Sequence, residues 1–217
     1  MSIDCQVCLR PEAICMCANV VPLVTRTRVL ILQHPAEIDF ELGTAGLLKQ
    51  SLPHCTLRPG LSWASLAAAL GEGDAVQRDW AVVWTASLPR PLTEIELTMP
   101  AVRMDSHGKN PGAAPPTGIV LLDGTWSQAK ALWWRNAWLL RLQRIVLHPA
   151  HASIYGRLRR EPRRTALSTL EAAADALVAC GEPKEVHDQL ERLMRTMCQR
   201  ARDRAKPGAP VVHERAD

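Results

Sequence analysis

Long apolar runs are absent from this 217-residue sequence, and none approaches the about 18 residues that a membrane-spanning helix needs. The N-terminus lacks the charged-then-apolar pattern of a signal peptide, so we expect a cytoplasmic protein without a membrane anchor. A strand-linked G-x-G-x-x-G, a Walker loop and a G-x-S-x-G elbow are also missing. A dinucleotide-binding or Rossmann methyltransferase site is therefore not supported, and a nucleotide-like cofactor would need another geometry.

Phenylalanine and tyrosine occur once each, whereas tryptophan occurs seven times. Tryptophan packs in cores and also stacks on bases, and composition does not choose between these roles. The formal net charge of +4 is mild, but acids are scarce between residues 141 and 164. That segment holds seven arginines and a single acid, Glu161. Such a cluster indicates a polyanionic partner, with a solvated basic surface as the alternative.

The cysteines are concentrated near the N-terminus in the pattern C-x2-C-x6-C-x-C, formed by Cys5, Cys8, Cys15 and Cys17. In a reducing compartment, clustered cysteines are more often metal ligands than disulfides, and four thiolates complete a tetrahedral structural zinc site. Free thiols or a reversible disulfide are the alternatives. We therefore predict a zinc knuckle over residues 1–22, a single larger domain over 23–205 and a flexible tail over 206–217.

Four apolar residues, 119–122, predict a buried strand in the interior of a parallel sheet. Thr125 and Gln128 then have the spacing of a helix capping box. Asp123 should therefore lie where the strand ends and a helix begins, which is where open α/β sheets bind ligands. The plainer interpretation is that Asp123 helps to cap the helix. The predicted apolar face of that helix contains Trp126, Ala129, Trp133, Ala137 and Leu140.

Further apolar runs alternate with helical patterns, which predicts an α/β fold with a mostly parallel sheet sandwiched by helices. Further strands are predicted at 29–32, 57–60, 81–85 and 144–147. Residues 89–118 are rich in proline and glycine, which indicates a long, partly mobile connection. Ser168 and Glu171 form a second capping box before a helix that runs through Leu177, and Pro183 opens the last helix.

The cysteine motif, the Thr25-Arg26 segment, Asp123-Gly124-Thr125-Trp126 and the block L-S-T-L-E-A together resemble the DTW-domain family, the tRNA-uridine aminocarboxypropyltransferases. The resemblance covers about residues 5 to 200. This family is similar in fold to the SPOUT enzymes, so the resemblance implies a C-terminal trefoil knot. Knots are rare, and this one would not follow from the sequence pattern alone.

The resemblance also implies S-adenosylmethionine, held by loops that follow the late strands. In this chain the implied binding residues are Thr125, Trp126, Pro149, Ala150, Tyr155, Gly156, Leu167, Ser168 and Thr169. Uridine N3 would attack the methylene carbon beside the sulfonium, a 3-amino-3-carboxypropyl group would move, and methylthioadenosine would leave. Asp123 is the candidate catalytic residue, either as the acceptor of the N3 proton or as an electrostatic partner of the cofactor's positive groups.

The expected partner is tRNA, held through its phosphates by exposed arginines. The candidate RNA-binding residues are Arg26, Arg28, Arg157, Arg159, Arg160, Arg163 and Arg164. Two other functions remain open at this point: a SPOUT-type RNA methyltransferase, and a non-catalytic zinc-containing RNA-binding module. We expect a monomer.

Overall fold

The computed structural model describes residues 4–8, 10–73, 75–84, 88–149, 151–159 and 166–205. Within them, one six-stranded sheet contains β1 (Arg28–Gln33), β2 (Cys55–Pro59), β3 (Trp80–Val83), β4 (Ala101–Met104), β5 (Gly118–Asp123) and β6 (Gln143–Leu147). The strand order is β2-β1-β5-β3-β6-β4, and every neighbouring pair is parallel except β4 with β6. The predicted α/β fold with a mostly parallel sheet is confirmed.

Six α-helices lie among the described residues: α1 (Ala45–Ser51), α2 (Leu66–Leu70), α3 (Glu94–Thr98), α4 (Trp126–Arg135), α5 (Thr169–Ala179) and α6 (Lys184–Arg204). None of these helices has both the length and the hydropathy that crossing a bilayer would require. Alternate residues of the central strands serve opposite layers. Val29 and Ile31 of β1 pack with α1, α5 and α6, whereas Leu30 and Leu32 pack with α2 and α4. This two-sided burial explains why the central strands are continuous apolar runs.

The segment 89–118, predicted as a long, partly mobile connection, contains α3 and the edge strand β4. In β4, Val102 and Met104 are buried while Ala101 and Arg103 are only half-buried. This alternation of buried and half-buried side chains is typical of an edge strand that has only one face covered by the core. Prolines on both sides of such a short strand conceal it in the sequence.

Helix α4 is shorter than its predicted apolar face, because it ends at Arg135. Asn136 is fully buried and donates to the carbonyls of Leu61 and Leu132, while its own side-chain oxygen accepts from Trp63 N–H. These tertiary bonds end the helix, and the chain continues as a 3-10 helix, Ala137–Arg141. The prediction that Ala137 and Leu140 continue the buried face was therefore wrong, since both are exposed.

The predicted tail, 206–217, and four predicted binding residues lie outside the described residues: Ala150, Arg160, Arg163 and Arg164.

Gly118, the first residue of β5, provides a test of this packing. A Cβ atom at Gly118 would lie 2.6 Å from the buried ring of Trp80. We expect Gly118→Ala to lower the free energy of unfolding by about 1–3 kcal/mol, because an overpacked core must shift. Gly46→Ala is the matched control, since nothing lies within 4 Å of its added Cβ in helix α1. The control should leave stability unchanged or raise it by up to about 1 kcal/mol in urea unfolding. Equal stability of both variants would contradict the packing described here.

Candidate functional site

Asp123 ends β5 at the carboxyl edge of the sheet and is only 4% exposed. Gln33, its register partner in β1, donates from Nε2 to Oδ2 over 2.9 Å. Thr169, the first residue of α5, donates from Oγ1 to Oδ1 over 2.5 Å. Three distant segments of the chain therefore meet at one carboxylate. Both donors are neutral, so these bonds orient the carboxylate without cancelling its negative charge.

Helix α4 begins directly behind this carboxylate because Gly124 permits a very tight connection. A Cβ atom on Gly124 would lie 2.8 Å from Gln128 Cβ and 3.4 Å from His34 Cβ. Thr125 and Gln128 form the predicted capping box, with Gln128 accepting from Thr125 N–H over 2.7 Å. The N-terminus of α4, with its positive field, is thereby fixed beside Asp123.

The second predicted capping box, at the start of α5, is also present. Glu171 accepts from Ser168 N–H over 2.9 Å, and it additionally accepts from Ser153 Oγ and Ile154 N–H over 2.7 and 2.8 Å. The plain capping interpretation is therefore correct but incomplete. Glu171 ties the loop 151–159 to the same helix start that positions Thr169.

Tyr155 anchors that loop from its other side. Its ring is buried, and its hydroxyl donates to the carbonyl of Leu42 over 2.6 Å. Burial raises the pKa of Tyr155, which keeps the phenol neutral and able to donate. Gly156 follows with a φ of 57°, a left-handed conformation that glycine adopts without strain. Tyr155 thus holds the loop in place with a hydroxyl that is already engaged.

Arg159, predicted to bind RNA, also holds this loop. Its guanidinium pairs with the buried carboxylate of Glu37 at 2.9 Å and lies 4.4 Å from the ring centre of Phe40. Arg157, nearby in the same loop, is exposed. Of these two predicted RNA-binding residues, Arg159 has a structural partner and Arg157 faces solvent.

Trp126 belongs to an aromatic stack beside the site. Its ring stacks on Trp84 with centroids 5.6 Å apart, and Trp84 stacks in turn on Trp133 at 5.2 Å. Trp84 directly follows β3, and Trp126 is half-buried at the first position of α4. The stack therefore extends from the core to the carboxyl edge of the sheet.

The structure does not bring the predicted cofactor-binding residues Pro149 and Leu167 into contact with Asp123. Pro149 follows β6, and because β3 lies between β6 and β5, two strand spacings of together about 10 Å separate its strand from that of Asp123. Leu167 is half-buried and packs on the core next to Ser168. Neither makes a contact that assigns it a role.

Arg26 and Arg28 lie at the opposite edge of the sheet. Arg28 pairs in register with Gly118 at the amino ends of β1 and β5, about 16 Å along the strands from Asp123. Its guanidinium binds Glu72 at 2.6 Å, and Arg26 donates to the Gly181 carbonyl. The structure thus separates these two arginines from the loop that carries Arg157 and Arg159.

Sequence reasoning missed two contributors to the site. Gln33 was visible as a polar residue at the carboxyl end of a strand, but nothing local pairs it with a residue 90 positions away. Thr44, before α1, accepts from Leu170 N–H over 3.3 Å and so helps to seat α5. No sequence signal marks Thr44.

The four N-terminal cysteines form a separate cluster whose sulfur atoms all lie within 4.8 Å of one another. The distances are 3.9 Å between the sulfurs of Cys5 and Cys17 and 3.7 Å between those of Cys8 and Cys15. A tetrahedral zinc ion with Zn–S bonds of about 2.3 Å needs sulfurs about 3.8 Å apart. The cluster could therefore hold a metal, and its donor set fits structural zinc.

We expect Cys5→Ser to reduce bound zinc from about one ion per chain and to lower the melting temperature, because three thiolates hold zinc less tightly. Metal content is measured on freshly reduced protein. Cys180→Ser is the control: Cys180 is buried away from the cluster, so its replacement should lower stability without loss of metal. Wild-type protein without zinc would contradict the assignment.

A second test concerns the hydrogen bond from Thr169 to Asp123. Thr169→Val should lower the free energy of unfolding by about 1–3 kcal/mol, because a buried acceptor loses its donor. Thr169→Ser keeps the hydroxyl and should stay near the wild-type value in the same urea titration. Equal stability of the two variants would mean that the bond does not hold the site.

Fold and site together define an α/β protein with a mostly parallel sheet, in which a strand-end carboxylate lies beside two capped helix starts at the carboxyl edge. The family described as the DTW domain matches residues 2–202, so the chain belongs to the DTW-domain family. No solved structure matches the chain.

Curated relatives share this similarity over most of the chain. This chain is 31% identical over 204 residues to tRNA-uridine aminocarboxypropyltransferase 2 of Mus musculus, and the match covers 90% of this chain and 62% of the relative. Identity is 30% to the Drosophila melanogaster protein of the same name, covering 89% and 73%. For tRNA-uridine aminocarboxypropyltransferase A of Arabidopsis thaliana it is 28%, covering 95% and 83%. The chain thus spans about three fifths of the mouse relative's length.

Proposed function

We propose that this chain transfers the 3-amino-3-carboxypropyl group of S-adenosylmethionine to N3 of a uridine in tRNA and releases methylthioadenosine. The names of the relatives support the reaction class. The observation that carries the proposal is Asp123, a buried carboxylate held by neutral donors at the carboxyl edge of the sheet. A cationic donor molecule is the ligand that this charge suits best.

The residues around Asp123 fit such a donor. S-adenosylmethionine supplies an electrophilic carbon next to a sulfonium, and it also carries an ammonium and a carboxylate. The negative charge of Asp123 complements the first two groups, and the N-termini of α4 and α5 suit the carboxylate. Thr125, Trp126, Ser168 and Thr169 belong to these two helix starts, while Tyr155 and Gly156 lie in the neighbouring loop that Glu171 holds.

In the reaction, N3 of uridine forms a bond to the carbon beside sulfur, the carbon–sulfur bond breaks, and its electron pair neutralises the sulfonium. The proton on N3 must be transferred to a base when this bond forms. Each oxygen of Asp123 already accepts a hydrogen bond, and its charge is not cancelled by those donors. This arrangement favours Asp123 as the electrostatic partner and orienter of the cationic arm, with proton acceptance as the second role.

The finer structural assignments belong to the same proposal. A C-terminal trefoil knot agrees with the non-sequential strand order and with the return of α5 to β5 after the chain has left β6. Zinc in the four-cysteine cluster has a structural role, because the protein supplies all four ligands. A cytoplasmic monomer remains our expectation.

The decisive experiment incubates the protein with tRNA and labelled S-adenosylmethionine and analyses nucleosides and by-products by mass spectrometry. We expect aminocarboxypropyl-uridine and methylthioadenosine, and we expect Asp123→Asn to reduce the yield at least 100-fold, a loss of about 2.7 kcal/mol of transition-state stabilisation. Asp188→Asn, an exposed change on α6, is the control and should retain full yield.

Other outcomes identify the alternatives. S-adenosylhomocysteine in place of methylthioadenosine would make the protein an RNA methyltransferase. Binding of tRNA without any product, and with equal affinity for Asp123→Asn, would make it a non-catalytic module.

A further inference from the structure

An open groove of about 530 Å³ lies on the surface between α6 and the loop 151–159. Among the residues that the structure describes, its lining carries no acidic side chain and consists of Ile154, Arg195, Thr196, Gln199, Arg200 and Arg202. Asp123 and its hydrogen-bond partners do not line the groove, which shares only Ile154 with the loop that Glu171 holds beside the site. Its chemistry is that of a surface for an extended anion.

The charge along α6 is divided in a way that concentrates positive charge here. The segment 184–191 carries one cation, Lys184, and three acids, Glu185, Asp188 and Glu191, whereas the segment 192–204 carries one acid, Asp203, and five arginines: Arg192, Arg195, Arg200, Arg202 and Arg204. Arg204 is paired with Glu41 at 2.7 Å and therefore does not add to the groove. Arg195 also has an acidic partner, Glu191, at 2.8 Å. Because 63% of the Arg195 side chain is exposed to solvent, this ion pair is weak.

Two of the groove arginines are already held in place by contacts with oxygen atoms of neighbouring segments. Arg200 donates to the carbonyl of Cys15 and to Asn19 Oδ1, and Arg202 donates to the carbonyl of Ile154 over 2.9 Å. A guanidinium has five N–H donors, so each retains donors after these bonds. Fixed guanidinium groups bind phosphate with little loss of side-chain entropy, and their planar donor pattern matches its oxygens.

We propose that this groove binds the phosphodiester backbone of the RNA substrate. The inference rests on the proposed function for the identity of the RNA, and it assigns the contact to α6 in addition to the arginines of the segment 157–164. An open groove whose described lining has three cations and no acid suits a continuous polyanion better than it suits a small molecule that must be enclosed.

The groove also lies where an RNA could reach the candidate active site. Ile154 forms one wall and donates through its N–H to Glu171, which caps the start of α5. Thr169, the first residue of α5, donates a hydrogen bond to Asp123. On the other side, Arg200 connects the groove to the cysteine cluster through Cys15. The groove therefore runs from the metal-binding segment towards the loop that borders Asp123.

The test measures tRNA affinity as a function of salt concentration for two double variants with equal charge loss. Arg195→Ala with Arg202→Ala removes two groove cations. Lys184→Ala with Arg192→Ala removes two exposed cations of α6 that do not line the groove. We expect about tenfold weaker binding for the groove variant, and a slope of log Kd against log salt that falls by about 1.5, because two phosphate contacts are lost. The control should change affinity by less than about twofold, as expected for loss of long-range attraction alone.

Thr196→Glu keeps every arginine and places a negative charge in the groove, so it tests the proposal even if loss of Arg202 disturbs folding. It should weaken tRNA binding by a similar factor at an unchanged melting temperature. Equal losses in groove and control variants, or unchanged affinity in Thr196→Glu, would overturn the proposal.

Activity measurements separate this proposal from the proposed function. In an active enzyme the groove variants should raise KM for tRNA about tenfold and leave kcat within about twofold, since Asp123 and its partners are untouched. If wild-type protein forms no product and the groove variants still lose affinity selectively, the groove assignment stands and the proposed reaction fails. If the wild-type protein forms the product and the groove variants keep the wild-type KM for tRNA, the proposed reaction stands and the groove assignment fails.

Discussion

The pair of hydrogen bonds from Gln33 and Thr169 to Asp123 is the interaction on which the rest of the site depends. It joins the ends of two neighbouring strands to the start of α5, which comes after the chain has passed through β6. A buried carboxylate without donors would be costly, so the bonds stabilise both the fold and the charge. Because both donors are neutral, neither bond offsets the charge of an ionised carboxylate, and the proposed cationic donor molecule requires that charge.

The two helix starts beside Asp123 are positioned by different devices. Gly124 brings α4 close to β5 through the absence of a side chain, whereas α5 is seated by Ser168, Glu171 and Thr44. Glu171 also holds the loop 151–159, and Tyr155 fixes the far side of that loop on Leu42. The loop is therefore fixed at two points by contacts that do not involve the carboxylate of Asp123.

Local sequence patterns predicted the elements whose causes are local. The β5 run, both capping boxes and the position of Asp123 follow from residues within a few positions of each other. Gln33 and Arg159 could not be assigned, because their partners, Asp123 and Glu37, are far away in the chain. The end of α4 was missed for the same reason, since Asn136 is bonded to a distant loop.

The arginine content of the sequence does not reveal which of these side chains are already paired, and the RNA-binding arginines stay a prediction. Arg28 and Arg159 each form ion pairs, with Glu72 and Glu37, and Arg28 lies at the amino edge of the sheet. On α6, Arg200 and Arg202 line a groove that has no acidic side chain among the described residues, and each donates to a backbone carbonyl, which does not neutralise its charge. Phosphate affinity depends on uncompensated positive charge, which is why we propose the groove as a phosphate-binding surface in addition to the predicted arginines of the segment 157–164.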